Sequence, residues 1–444
     1  MAESTGARFT GKASLDCVIF GGHGVTGVVS TLIDALNLRG LNEKPVVFVG
    51  PHEHHSNLLP WREAGCDVVN VPQKNGMVDL NALEVLLKSP KYGYNSSRLR
   101  MGAFSAVSNV TGLIADVDSI AILLHRYSAL AFFDYASGAP YLKMNMNPQS
   151  QGGDASKDAL YFSPHKCYGG TSSPGVLVMK KRLISQTNPP RVSGGGTVFY
   201  VTSESHRFLS NRVERYEGGT PDGIGIQKVG LAMLAGRRIA SEYERISGSV
   251  REETEIPKTL LEYECATYDR VVAELKRKAP NLIMLGCNDI HIETESNNPE
   301  CIGRHLPIFS FLIRCGKRFL HYNYVCAILN DVFGIQSRGG CQCAGPYSQY
   351  LLGLTKSVVK EDGIEVEVPN GSNRRIEKAL LRSDRPCELL RPGYTRLSLP
   401  FKGLREEEVD YVVSALIWVA KNAWVLLPQY TCDHKTGEVC SFSI

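Results

Sequence analysis

The stretch "ALYFSPHKCYGG" (159–170) reads as the end of a buried strand running into a tight turn. Ala159-Leu160-Tyr161-Phe162 is an unbroken apolar run, short enough for a strand covered on both faces. Ser163-Pro164 closes the run, and Gly169-Gly170 lets the chain bend sharply. One lysine, Lys166, sits in the turn between His165 and Cys167. A lysine at a strand end is either ordinary surface or an amine meant to react, and its surroundings decide which.

Runs of the same kind recur on both sides of it. "LDCVIF" (15–20), "PVVFVG" (45–50), "CDVVNV" (66–71), "MGAFSAV" (101–107), "LAFFD" (130–134), "LYFS" (160–163) and "GVLVM" (175–179) read as buried strands. Helical patterns over 26–38, 79–88 and 116–127 separate several of them. Strands alternating with helices predict an α/β fold with a mostly parallel sheet covered on both faces. In such sheets ligands bind beyond the carboxyl ends of the strands, where Lys166 falls. Helical periodicity follows over 223–246 and 256–278, then strands at 282–287 and 307–315, then helices at 318–334 and 405–424. This gives a large domain over residues 1–250 and a smaller C-terminal α+β domain over 251–444. The polar stretch 355–375 reads as an exposed loop.

At 444 residues the chain can hold two full cores, and 43% hydrophobic with 21% charged residues is ordinary for a globular protein. A net charge of +4, with no basic block, gives no argument for nucleic acid. The longest apolar segment, 411–427, is interrupted by Lys421 and has helical spacing, so it reads as a core helix rather than a membrane span. No secretory signal is read at the N-terminus. Thirteen scattered cysteines suit a reducing compartment, and the expected location is the cytoplasm, with the mitochondrial matrix as the alternative.

An amine is inert at neutral pH unless burial or a neighbouring cation frees it to form a Schiff base with an aldehyde. The aldehyde cofactor held this way is pyridoxal 5'-phosphate (PLP). Its site needs a carboxylate at the pyridine nitrogen, a phosphate cup and a group stacked on the ring. "FFDYASGAP" (132–140) offers Asp134 at a strand end, readable also as a turn-capping aspartate. "GGHGVTG" (21–27) opens a helix after a strand, which aims N–H groups and the Thr26 hydroxyl at an anion; such turns are common on their own. "HEHHSN" (52–57) supplies flat imidazoles, which equally suit solvent exposure or a cap.

Taken in order, "HEHHSNLLPW", "VSNVTG", "DYASGAP", "SPHKCYGG", "GGGTV" and "RYEGGTPDG" resemble the landmarks of class V aminotransferase-fold enzymes, specifically the cysteine desulfurases and their selenocysteine lyase-like relatives. The resemblance runs from about residue 15 to about 425. It implies the PLP-dependent transferase fold type I. By motif position Lys166 would hold PLP and move protons at the substrate Cα. Asp134 would bond the pyridine nitrogen, with Ala136 beside it. His55 would stack on the ring, and Asn109 would lie near the phenolic oxygen or the substrate. Val25, Thr26, Ser163 and His165 would cup the phosphate, and Thr220 would reach the phosphate of a partner subunit in a homodimer.

"SRGGCQCAGPY" (337–347) matches a desulfurase Arg-x-Gly-x-x-Cys-Ala loop at Arg338, Gly340, Cys343 and Ala344. The resemblance makes Cys343 the thiol that takes sulfur from L-cysteine as a persulfide, with Cys341 as its rival, and implies a protein that accepts the sulfur. "GYTRLSLPF" (393–401) resembles the substrate-carboxylate motif and assigns Arg396 to a two-pronged pair with it. The chain departs from the pattern at Ser137, where a glutamine is usual, and at Ala106, where a histidine is usual. About fourteen residues precede the first core strand, so either the family's N-terminal segment is shortened or the sequence is a fragment. Transamination, epimerisation or a lyase reaction are alternatives on the same cofactor, and a non-catalytic paralogue is another. A metal site built on His52, His54, His55, Cys341 and Cys343 lacks the usual ligand spacing.

Overall fold

The computed structural model describes residues 1–8, 15–185, 188–190, 192–249, 257, 259–286, 304–359, 363–381, 387–400 and 404–442. They form two compact units. The first is drawn from residues 1–108 and 114–256, and the second from 109–113 together with the chain after Pro257, apart from the segment 293–302.

All seven runs expected as strands in the first unit are strands of one sheet: β1 (Asp16–Gly21), β2 (Val46–Val49), β3 (Asp67–Asn70), β4 (Arg100–Ser105), β5 (Leu130–Asp134), β6 (Ala159–Phe162) and β7 (Gly175–Lys180). Their order across the sheet is β1-β7-β6-β5-β4-β2-β3. The pairs β2·β3, β2·β4, β4·β5 and β5·β6 are parallel, and β7 runs antiparallel to both β6 and β1. Every residue of β2, β4, β6 and β7 is buried, which explains their continuous rather than alternating apolar pattern. Helices α1 (Gly24–Ala35), α2 (Leu80–Lys88) and α3 (Val117–Arg126) fall on the three predicted helical stretches. Asp79 caps α2 and Asp116 caps α3, each through its carboxylate to backbone N–H groups of the first turn. Val25, Val28, Val29, Leu32 and Ile33 of α1 pack with Trp61, Phe132, Tyr161 and Leu177 in a core on one sheet face. The unit ends in a long helix, α4 (Gly223–Ser249).

The second unit has its own core. Helix α5 (Leu260–Lys278) opens on a capping box between Thr259 and Glu262. Strands β8 (Leu282–Met284), β9 (Ile308–Cys315), β10 (Arg338–Gly340) and β11 (Tyr394–Ser398) make an antiparallel sheet in the order β8-β9-β11-β10. Helices α6 (Tyr322–Phe333) and α7 (Glu406–Asn422) bury Val325, Ile328, Leu329, Val413, Leu416 and Val419 against Phe309, Phe311 and Leu397. The helical segment Glu406–Gln429 is long and apolar enough to cross a membrane by composition, yet its inner face is part of this core.

One expectation fails. The stretch 355–375 is not a loop: Thr355–Val359 and Glu365–Pro369 pair as an antiparallel ribbon, and Gly371–Leu381 is a helix capped by Asn370, which accepts from Ser372 and Asn373 N–H. The ribbon escaped notice because most of its residues are exposed and the polar ones among them broke up any continuous apolar run. Backbone pairing and the alternation of Val366 and Val368 define it instead of a hydrophobic run.

Candidate cofactor and thiol sites

In the first unit, the carboxyl ends of β5 and β6 and the start of α1 gather most of the predicted cofactor residues. Lys166 ends a single helical turn, Pro164–Lys166, directly after β6, closed by Lys166 N–H donating to the Ser163 carbonyl at 3.0 Å. Gly170 is required there, because a Cβ would stand 1.9 Å from the Pro164 carbonyl oxygen. The lysine is exposed, while Asp134 at the end of β5 is only 4% exposed. Burial pushes the Asp134 carboxyl up to about 6, against two opposing effects: the Ala136 N–H, which donates to it at 2.7 Å, and the positive charge of Lys166. Ala136 thus orients Asp134 through its backbone.

The turn into α1 forms a cradle. Gly24 has φ +62°, and a Cβ on it would meet Ser163 Oγ at 2.6 Å and His165 Cε1 at 2.9 Å. Val25 N–H donates to Ser163 Oγ at 3.0 Å, and the exposed Thr26 hydroxyl lies 2.7 Å from Ser56 Oγ. Partial burial and the neighbouring Lys166 charge lower the His165 imidazole from its ordinary range. Hydroxyls and N–H groups around a helix start, with side-chain space cleared by a glycine, suit a phosphate group. His55 begins a short turn (His55–Asn57) after β2, set by His54, whose Nδ1 accepts from Ser56 N–H at 3.1 Å. The His54 and His55 rings lie 6.2 Å apart. Thr220 is exposed, in a loop tied down by Gly219 N–H to the Gly195 carbonyl at 2.9 Å and by Phe20 N–H to Glu217 at 2.9 Å.

Four residues behind Asp134 went unread in the sequence. Ser105 and Tyr161 flank Asp134 in register on β4 and β6, so the three side chains share one sheet face. Glu53, 4% exposed, accepts from Ser105 N–H at 2.9 Å, from Ser105 Oγ at 2.8 Å and from Asn57 Nδ2; Asn57 in turn accepts from the Tyr161 hydroxyl. Burial raises the Glu53 carboxyl to about 7, and the negative charge of Asp134 adds to the rise. The signal was present in "HEHHSN", whose glutamate lies among predicted ring-stacking histidines without an evident cation.

The second unit holds the remaining predicted residues. Asn109 belongs to this unit, at 8% exposure. Its Nδ2 donates to the Gln342 carbonyl at 2.8 Å, and its own carbonyl accepts from Arg396 Nη1 at 2.9 Å. Arg396 on β11 stands directly opposite Arg338 on β10. Burial, then the Arg338 charge, lowers the Arg396 pKa. Among the described residues neither arginine is paired with a carboxylate, and Arg396 Nε is buried without a partner. Two adjacent guanidiniums without an anion fit a carboxylate ligand.

Cys343 is partly exposed, its sulfur 3.8 Å from Arg338 Nη2. It occupies a turn closed by Ala344 N–H to the Cys341 carbonyl at 3.1 Å, with φ +54° at Gln342 and +57° at Cys343. Side chains other than glycine pay roughly 1–2 kcal/mol each in that region. Cys17 and Cys167 are buried, their thiols pushed up to about 12 and about 11, which leaves them inert at neutral pH. Among the described residues no group of three His, Cys, Asp or Glu side chains is placed to hold a metal. Ala106 is fully buried, its N–H bonded to the Asp134 carbonyl at 2.9 Å.

The sheet order and the residues at its carboxyl edge define a type I fold of the kind found in PLP enzymes. Structural similarity agrees. A cysteine desulfurase from Thermococcus onnurineus NA1 matches with a TM-score of 0.64 at 21% identity, covering 95% of this chain and 82% of the other. One from Escherichia coli matches with a TM-score of 0.61 at 20% identity, covering 92% and 79%. The class V aminotransferase family model matches residues 2–259, and the chain belongs to that family. A probable cysteine desulfurase of Chlamydia muridarum is 35% identical over 216 residues, 48% of this chain and 50% of that protein. A cysteine desulfurase of Synechococcus elongatus is 28% identical over 323 residues, 70% and 45%. The chain spans about half the length of these curated relatives. As families, class V aminotransferases and cysteine desulfurases depend on PLP.

Proposed function

We propose that this chain binds PLP through Lys166 and removes sulfur from L-cysteine. The observation that carries the reading is the buried Asp134, whose carboxylate is favoured by the Lys166 charge, on the same sheet edge as a glycine cradle made by Gly24, Ser163 and His165. Bound there, PLP would supply an electron sink for charge developed at the substrate Cα.

Each residue then has a physical task. Asp134, fixed by Ala136 N–H, would be the carboxylate that keeps the cofactor's ring nitrogen protonated. Val25, Thr26, Ser163 and His165 would hold the phosphate, and His55 would stack on the ring. Lys166 moves the Cα proton. Arg396 orients the substrate carboxylate, supported by Asn109. The Cys343 thiolate attacks the substrate sulfur: an S–S bond forms, the Cβ–S bond breaks, and its electron pair stays with carbon, which takes up a proton to leave as alanine. The sulfur remains as a Cys343 persulfide, for release to an acceptor protein or a small thiol. Exposed Ile224, Leu231 and Leu234 on α4, with Phe199, Tyr200 and Val201, support a homodimer in which Thr220 serves the partner's phosphate.

Purified, PLP-loaded protein incubated with L-cysteine and a dithiol is expected to form alanine and sulfide in equal amounts. Cys343→Ser should lose at least 90% of the sulfide while retaining bound PLP. Full sulfide production by Cys343→Ser with loss in Cys341→Ser would move the role to Cys341.

A further inference from the structure

The turn that carries Cys343 is one that its own sequence does not favour. Both central residues, Gln342 and Cys343, have positive φ, the signature of a type I′ turn, where glycine, asparagine and aspartate dominate. Something other than local preference must select it. The two ends are anchored: Ala344 is fully buried in a small cluster with Val110, Tyr347 and Tyr394, and the Cys341 carbonyl accepts from Ser348 Oγ at 2.8 Å. Among the described residues the middle is tied back to the chain chiefly by Gln342. Its side chain is 3% exposed, far more buried than a turn-tip glutamine should be. Its Nε2 folds back to donate to the Arg338 carbonyl at 3.0 Å and the Gly340 carbonyl at 3.4 Å. Its own carbonyl accepts from Asn109 Nδ2 at 2.8 Å.

We propose that Gln342 is a positioning residue, a latch whose side chain ties the end of β10 to the tip of the turn and so holds Cys343 beside Arg338. The latch links the residue next to the nucleophile with the residue that carries the guanidinium. Releasing it lets the turn open and separates the Cys343 sulfur from Arg338 Nη2. The consequence for catalysis rests on Cys343 being the sulfur-accepting thiol; the latch itself does not.

Hydrogen exchange and thiol labelling on the full chain test this without turnover. In Gln342→Ala, the Ala344 amide should exchange at least tenfold faster than in wild type. Cys343 should also be alkylated at least fivefold faster by iodoacetamide at a pH where the thiolate is formed in both proteins. Gln342→Asn is the companion variant: asparagine accepts positive φ readily but is one methylene too short to reach the Arg338 carbonyl, so it should open the turn as well. If backbone strain rather than the latch governed the turn, asparagine would close it more firmly than wild type, and the proposal would be overturned. Wild-type exchange and labelling in both variants would overturn it too. With L-cysteine, the loaded variants should lose kcat with KM unchanged when rates are referred to the concentration of folded, PLP-bound sites, a normalisation that removes any loss of general stability. A wild-type protein that makes no sulfide but shows the exchange difference would retire the desulfurase reading and leave the latch standing.

Discussion

Asp134 and Glu53 are two acids in one buried network, and their burial makes a signed statement about pH. A carboxyl raised on folding stabilises the fold fully below its unfolded value and loses that contribution as pH rises through its folded value. For Glu53 the window runs from the ordinary 4.5 to about 7. Across it wild-type stability should fall by roughly 1.4 kcal/mol per pH unit from this group. Gln at position 53 cannot ionise, so Glu53→Gln should flatten the slope of unfolding free energy between pH 5 and 7, measured by denaturant titration. An unchanged slope would mean that the carboxyl ionises freely in the folded protein. Lys166 and Asp134 could be singled out in the sequence because their neighbours suggest a role: a lysine in a glycine-bounded turn, an aspartate ending an apolar strand. Glu53, Asn57 and Tyr161 were silent because their meaning lies in bonds to side chains far along the chain, such as Tyr161 to Asn57. Gln342 was silent for another reason: an exposed turn is the default expectation for glutamine, and only its burial contradicts it.

At the scale of elements, the strands were readable because a sheet buried on both faces demands continuous apolar runs, and "LAFFD" and "GVLVM" have no other plausible use. The ribbon at 355–369 was not, since an exposed two-stranded pair needs no apolar code. The start of α1 shows what a glycine does for an element: Gly24 lets the helix begin with its backbone against Ser163 and His165. Gly24→Ala adds a Cβ 2.6 Å from Ser163 Oγ at a φ of +62°. PLP affinity, followed by equilibrium dialysis, should fall at least tenfold while the circular dichroism of the sheet and helices is retained. Unaltered affinity would place the phosphate elsewhere.

For the whole molecule, each compact unit is built around a separate hydrophobic cluster, one centred on α1 and the seven-stranded sheet, the other on α5, α6, α7 and the smaller sheet. The residues proposed for the reaction divide the same way, with Lys166, Asp134 and the cradle in the first unit and Arg396, Asn109 and Cys343 in the second. The assignment of Asn109 to the second unit could not be read from sequence. It follows a strand of the first sheet by only four residues, and what claims it is pairing with Gln342 and Arg396 more than two hundred residues away. The proposed reaction depends above all on covalent attachment of PLP to one amine. Borohydride reduction of the PLP-incubated protein, followed by peptide mass mapping, tests it most directly. A single phosphopyridoxyl group is expected on Lys166 and absent from Lys166→Ala; a reduced adduct on another lysine, or none on the wild-type chain, would contradict the attachment.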